Sequence, residues 1–284
     1  MTLQRYCVLF VAFLLAGCGG AGSMPAGAPL PVKPAGLSGK IVITGASTIA
    51  PLCSEIGKKF EALHPDVRVD IQTGGSSRGI SDSRSGVADI GMVSRPLKPD
   101  ESDLKSFVIA YDGVCVILHK DNTVSELSDE QVASIYTGKI TNWKGVGGKD
   151  APITVINKAE GRSTLELFCQ HYSLKNRDIK PHVIIGDNEQ GIKTVAGNPD
   201  SICYVSIGTA EFSARMGVSI KLLPIKGVEP TMDNVKHHKF PLSRPLNLVT
   251  KTDPEGVAKA FIEFATSKDV NRLIKEQFFV PVKE

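Results

Sequence analysis

The chain has 284 residues, 42% hydrophobic and 22% charged, with a formal net charge of +3. Such usage suits a globular protein with room for two sizeable cores and argues against disorder. Its basic residues are dispersed, not gathered into runs with interleaved aromatics, so nucleic acid is not an expected partner.

Arg5 is the only charged residue before Lys33, and the apolar run "YCVLFVAFLLAGC" extends from Tyr6 to Cys18. It is too short and wrongly flanked to span a membrane and reads as a secretory signal. Its ending, Leu15-Ala16-Gly17-Cys18, resembles the bacterial lipobox. That resemblance implies a signal peptide over residues 1–17, a lipid on Cys18, and a location on the periplasmic or cell-surface side of a bacterial membrane. Residues 18–38 are rich in Gly, Pro and Ala and read as a flexible tether. The folded body is expected from near Gly39.

Strands and helices then alternate. "KIVITG" is an apolar strand, and Leu52, Ile56, Phe60 and Leu63 recur at helical spacing before His64-Pro65-Asp66 ends the helix. Val67, Val69 and Ile71 alternate as a second strand. "ADIGMVS" and the long "FVIAYDGVCVILHK" read as further strands. Ser128 with Gln131 forms a capping-box pattern opening a helix that stops at Gly138. "APITVIN" and "SICYVSIG" are strands on either side of two helical stretches, "RPLNLVTK" is the last strand, and a final helix places Val257, Ala260, Phe261, Phe264 and Ala265 on one face. This order predicts an α/β fold of parallel sheets with helices on their faces.

The four body cysteines, Cys53, Cys115, Cys169 and Cys203, have no spacing that suggests a zinc site, so no metal is expected. An exported compartment permits disulfides, and small buried thiols fit equally well. Trp143 is expected to pack a loop, and His237 and His238 to lie in a solvated one.

Three junctions share one pattern. "ITGASTIAPL" (Ile43 to Leu52), "IQTGGSSRGI" (Ile71 to Ile80) and "NKAEGRSTLELF" (Asn157 to Phe168) each pass from a strand through Gly and hydroxyl residues into a helix. A helix N-terminus carries unpaired N–H groups and roughly half a positive charge, so it attracts anions. Glycine permits close approach, and Ser or Thr supply uncharged donors. Ser and Thr are also ordinary N-caps, and Ser163 with Glu166 fits a capping box. Three such junctions, with Arg78 and Arg162 in two of them, point beyond capping to an oxyanion held by many neutral donors and few cations. Catalysis is not expected, because no Gly-x-Ser-x-Gly elbow occurs and no His stands at a suggestive spacing from an Asp.

The segments "GASTIAPL", "GGSSRGI", "ADIGMVSRPL", "IYTGKITNWKGVGG", "EGRSTLELF", "GNPDSICYVSIG" and "PLSRPLNLVTK" cover most of the chain from Lys40 onward. In them the sequence resembles the phosphate-binding lipoproteins of bacterial phosphate ABC transporters, within the type 2 periplasmic binding proteins. The resemblance implies two α/β lobes joined by a hinge, with inorganic phosphate held in the cleft between them. It places lobe one at 38–112 plus 245–284 and lobe two at 113–244. It further implies a monomer that delivers its ligand to a membrane permease and needs no cofactor. Thr48 matches the first-junction hydroxyl, flanked by Ser47, and Ile49 the neighbour that donates its backbone N–H. Ser76, followed by Ser77, matches the second junction. Lys158 stands where the family usually has Arg, and Arg162, Ser163 and Thr164 replace its Ser-Gly-Thr. Arg162 would either grip two oxygens as a fork or point to solvent. Many members carry Asp where this chain has Ser94, followed by Arg95. A Ser-Arg pair resembles another branch, in which Arg95 supplies charge to the anion. Because a carboxylate would select a protonated ligand, its replacement leaves sulfate, arsenate and molybdate as alternative ligands, and a sensor or scavenger without a permease as an alternative role.

Overall fold

The structure is a computed structural model that describes residues 36–283. The expected signal peptide, the Cys18 expected to carry lipid and nearly all of the expected tether lie outside those residues. Leu37, inside the expected tether, already packs against a core.

In chain order the elements are β1 (Gly39–Gly45), α1 (Ala50–Leu63), β2 (Val67–Thr73), α2 (Ser76–Ser85), β3 (Ile90–Val93), β4 (Lys105–His119), α3 (Asp129–Tyr136), β5 (Thr154–Lys158), α4 (Ser163–His171) and β6 (Val183–Ile185). They continue with α5 (Asn188–Gly197), β7 (Ser201–Ser206), α6 (Ile207–Arg215), β8 (Ile220–Leu222), α7 (Met232–Lys236), β9 (Ser243–Thr250), α8 (Gly256–Ala265), α9 (Asn271–Glu276) and β10 (Val280–Pro281). Helix α8 is therefore not the final element. The Ser128–Gln131 capping box is present, with Ser128 Oγ accepting from the Gln131 N–H at 3.2 Å.

The strands run in the order β2-β1-β3-β9-β4-β7-β5-β6. Pairing is parallel at each end, β1 with β2 and β3, and β5 with β6 and β7. The expectation of purely parallel sheets fails at the centre. There β4 and β9 run antiparallel to each other, and β3 and β7 are antiparallel to them. Strand β4 passes from one core to the other, and β9 returns beside it from the residue after Leu242, so the two crossings run in opposite senses.

The buried apolar side chains form two large clusters. One gathers Ile41, Leu52, Phe60, Ile90, Ile109, Leu246, Phe261 and their neighbours. The other gathers Val114 to Leu242, with Trp143 and Phe168 among its largest members, and takes in Val280 from the C-terminal strand. Strand β4 divides between them, Ala110 in one and Val114 in the other. Within the second, Phe168 stacks on Tyr204 at 3.9 Å between ring centroids. The Tyr204 hydroxyl donates to Asn157 Oδ1 at 2.5 Å and accepts from the Lys158 N–H at 3.3 Å, which fixes the end of β5. Trp143 packs as expected and donates from Nε1 to the Asp200 carbonyl at 3.0 Å. The four body cysteines are free thiols. Burial pushes Cys53 up to about 12 and Cys203 up to about 11, which suppresses thiolate chemistry at both.

Candidate functional site: an oxyanion cage at the crossing strands

The three junctions converge, and a fourth helix start joins them. Thr48 precedes α1, Ser76 opens α2, Ser163 and Thr164 open α4, and Asn188 opens α5; all five are buried. Gly75 makes this approach possible. Its φ is +98°, and a Cβ there would lie 2.5 Å from the Gly161 carbonyl oxygen, which belongs to the third junction.

The side chains form one connected network. Ser94 Oγ and Ser163 Oγ are 2.5 Å apart, and the Ser94 N–H donates to Ser76 Oγ at 3.1 Å. At the centre stands Arg244, fully buried on β9. Its Nε and Nη2 donate to Asp112 Oδ2 at 3.1 and 2.7 Å, and Asp112 is its cross-strand partner on β4. Its Nη1 reaches the Ser94 carbonyl and Thr164 Oγ1, each at 3.3 Å, and its Nη2 makes a 3.5 Å contact with Thr48 Oγ1. Asn188 Nδ2 donates to Thr48 Oγ1 at 3.3 Å. Lys158 Nζ, also buried, donates to the Asp187 carbonyl at 2.6 Å and to Asn188 Oδ1 at 3.1 Å. Desolvation lowers the Lys158 ammonium to about 8.

Several expected site residues stand elsewhere. Arg95 is not presented to this network, because Glu101 takes its guanidinium in a fork at 2.6 and 2.8 Å and Glu166 Oε2 lies 2.9 Å from its Nε. Ser77 sits on the rim, with its N–H on the Gly161 carbonyl at 3.3 Å and its hydroxyl 3.4 Å from Glu166 Oε1. The Ile49 N–H is used within the turn, donating to the Ala46 carbonyl at 3.1 Å. Ser47 is half-buried and lines an adjoining cavity of about 490 Å³ that Thr48 and Asn188 also border. The Ser163–Glu166 capping box does not form, since Arg162 is the N-cap and Glu166 turns toward Arg95. Arg162 is half-buried beside Gly75 and Gly186, and its Nε is buried without a hydrogen-bond partner.

Arg244 and Asn188 were missed by the sequence reading. The signal for Arg244 was in plain view as Ser-Arg-Pro-Leu in "PLSRPLNLVTK", the same four residues as at Ser94. For Asn188 there was little signal, since "DNEQ" reads as a solvated helix start.

The arrangement offers five hydroxyls, from Thr48, Ser76, Ser94, Ser163 and Thr164, with two buried cations. The one carboxylate among them, Asp112, is occupied on both oxygens, since Oδ1 accepts from the Gly208 N–H at 3.2 Å and Oδ2 from Arg244. Hydroxyls donate or accept as required, so this set suits a multiply charged oxyanion in more than one protonation state. Among the described residues no cluster of His, Cys, Asp and Glu could hold a metal ion.

Two α/β lobes about a pair of crossing strands, with helix N-termini converging between them, define a two-lobed solute-binding fold. The PBP superfamily domain matches residues 32–269, and the chain belongs to that superfamily. Its similarity to the phosphate-binding protein PstS of Bacillus subtilis is 29% identity over 98% of this chain and 93% of that one. A Clostridium perfringens ABC-transporter substrate-binding protein of assumed phosphate specificity, solved with bound phosphate, is 33% identical with a TM-score of 0.79, covering 86% of this chain and 100% of that one. An ABC-type phosphate transport receptor from Vibrio cholerae is 32% identical with a TM-score of 0.70, over 84% and 99%.

Proposed function

We propose that the chain captures inorganic phosphate between its lobes and presents it to the permease of an ABC transporter. Arg244 carries this reading: a fully buried guanidinium on the crossing strands touches Thr48 on one side and Thr164 on the other. Phosphate would draw on Thr48, Ser76, Ser94, Ser163 and Thr164 as donors and on Lys158, Arg162 and Arg244 for charge. The phosphate-binding names of the relatives support the same ligand class. The lobe limits at about 112 and 245 belong to this proposal, as do a monomeric state, lipid anchoring through Cys18, binding without turnover, and a position on the outer face of the membrane. Among the described residues no helix is long and apolar enough to cross a membrane.

Calorimetric titration with phosphate, sulfate, arsenate and molybdate tests the assignment. Phosphate should bind most tightly, with arsenate the nearest competitor because its shape and charge are similar. Tighter binding of sulfate or molybdate would overturn the phosphate reading. Small-angle scattering supplies the second test. The radius of gyration should not exceed its unliganded value at saturation, and it should fall if the free lobes part in solution.

A further inference from the structure

Outside the cage, a second polar cluster joins a small apolar cluster at α2, β3 and β9 to the core built around Phe168. Arg95, Lys98 and Glu101 lie on the segment after β3, whose Val93 and Leu104 pack with Ile80 and Val249. Glu166 lies on α4, whose Leu165 and Phe168 belong to the other core. Arg95 is held rigidly on its own side. Glu101 grips it in a fork and also accepts the Lys98 N–H at 2.8 Å, while Asn247 Nδ2 donates to the Arg95 carbonyl at 2.8 Å. Burial opposes the Arg95 charge, but the hydrogen bond to Glu101 and the charges of Glu166 and Glu101 outweigh it and raise the guanidinium above its usual range. What remains of the cluster faces across the cleft: Arg95 Nε at 2.9 Å and Lys98 Nζ at 2.7 Å from the same oxygen of Glu166. Beside this contact Ser77 meets both Glu166 and the Gly161 carbonyl.

We propose that Glu166 is an affinity-determining clasp: gripped by Arg95 and Lys98, it holds the lobes together over the oxyanion without touching it. Deepening the phosphate reading in this way makes the rim a determinant of how long ligand stays bound. The alternative role for Glu166 has the opposite sign. A carboxylate acting only as a neighbour of an anion site repels the ligand, so its neutralisation would tighten binding. Neutralising a clasp loosens it. The effect should also fall mainly on dissociation, because the contact forms only when the lobes are together.

The test uses the full chain in detergent, with Glu166→Gln, Lys98→Met and the double variant. Both side chains are partly exposed, so both variants should fold. Exchange of the Ser77 amide, whose acceptor Gly161 lies on the opposite side, reads the clasp without any ligand. Each single variant should exchange there at least threefold faster, while amides inside β1 and β7 keep wild-type rates. Phosphate affinity should fall about two- to fivefold in each variant through a faster off-rate, with the double variant no worse than Glu166→Gln alone, the range expected of a partly exposed ion pair. High salt should shrink the difference from wild type. Unchanged Ser77 exchange, additive variants, or tighter phosphate binding in Glu166→Gln would each overturn the clasp. If wild type takes up no phosphate yet exchange responds as described, the clasp stands and the phosphate assignment falls.

Discussion

The tetrapeptide Ser-Arg-Pro-Leu occurs twice, at Ser94–Leu97 and at Ser243–Leu246, and the two copies do different work. Each arginine is buried and paired with a carboxylate, Arg95 with Glu101 and Arg244 with Asp112. The difference lies in what each guanidinium has left over. Arg244 keeps Nη1 and Nη2 for the Ser94 carbonyl and the hydroxyls of Thr164 and Thr48, so its surplus faces the cage. Arg95 spends Nη1 and Nη2 on Glu101 and the Pro96 carbonyl, and its Nε faces Glu166. The two segments even interlock, since Arg244 donates to the Ser94 carbonyl and Asn247, just after the second copy, donates to the Arg95 carbonyl. A local motif specifies a buried, paired arginine; the direction of its free donors is decided by whether the crossing strand β9 or the segment after β3 carries it.

The largest effect that could break this contrast is at Arg244. Arg244→Met should abolish measurable phosphate binding and, by stranding Asp112, cost about 3–5 kcal/mol in thermal or denaturant unfolding. Arg244→Lys keeps the charge without the fork and should fold, yet bind at least tenfold more weakly. Phosphate affinity near wild type in both variants would remove Arg244 from the cage.

Arg95→Met comes next. It strands Glu101 and should destabilise by about 2–4 kcal/mol, while affinity falls by less than tenfold. Arg95→Met with Glu101→Leu should recover most of that stability, because an apolar pair of similar size replaces both charges. A hundredfold affinity loss in this stable double variant would return Arg95 to the anion site and erase the distinction between the copies.

Lys158 sharpens the comparison through pH. Its folded-state value is lowered from 10.5 to about 8 by desolvation, so between those values the unfolded chain holds a proton that the unliganded folded chain has released. Stability of the unliganded protein should therefore gain from this group as pH rises from about 8 toward 10.5. Binding has the opposite sign: an anion favours the ammonium, so complex formation should take up a proton near pH 8 and affinity should decline by up to about tenfold per pH unit above it. Calorimetry in buffers of different ionisation enthalpy measures that uptake. Lys158→Met should bind more weakly and show a flatter alkaline profile.

The smallest effect is expected at Arg162, half-buried at the α4 start. Arg162→Ala should weaken phosphate binding by about threefold, because solvent screens a partly exposed cation.

Much of the fold was readable because its signals are local. Apolar runs marked β1, β4 and β7, and the Ser128 capping box marked α3. The Gly-hydroxyl junctions marked where helix starts would converge. What was not readable depends on pairing over long separations. The antiparallel crossing of β4 and β9 joins residues 105–113 to 243–250, and only that register sets Asp112 opposite Arg244. For the same reason Arg95 was expected at the anion, since nothing near Ser94 announces that Glu101 will take its guanidinium or that Glu166, on α4, will stand 2.9 Å from its Nε. Ile49 shows a subtler limit: a helix-start N–H looks available in sequence, yet a tight turn onto Ala46 uses it.

The passage of β4 from one core to the other, with β9 returning beside it, also governs the order in which the chain can condense. The core built from Val114 to Leu242 is nearly contiguous in sequence, so its contacts close comparatively short loops. The other core joins Ile41 to Ala110 with Leu246 to Phe279 and lacks Phe261, Ala265 and Ile274 until the C-terminal segment arrives. A chain emerging N-terminus first thus presents the first half of an unfinished core while the later half-molecule is already able to fold. During that interval β3 has β1 on one side and an open edge where β9 will pair. An unpaired, apolar strand edge is where misassociation begins, so the interval between synthesis of Val93 and of Leu246 leaves that edge open to it.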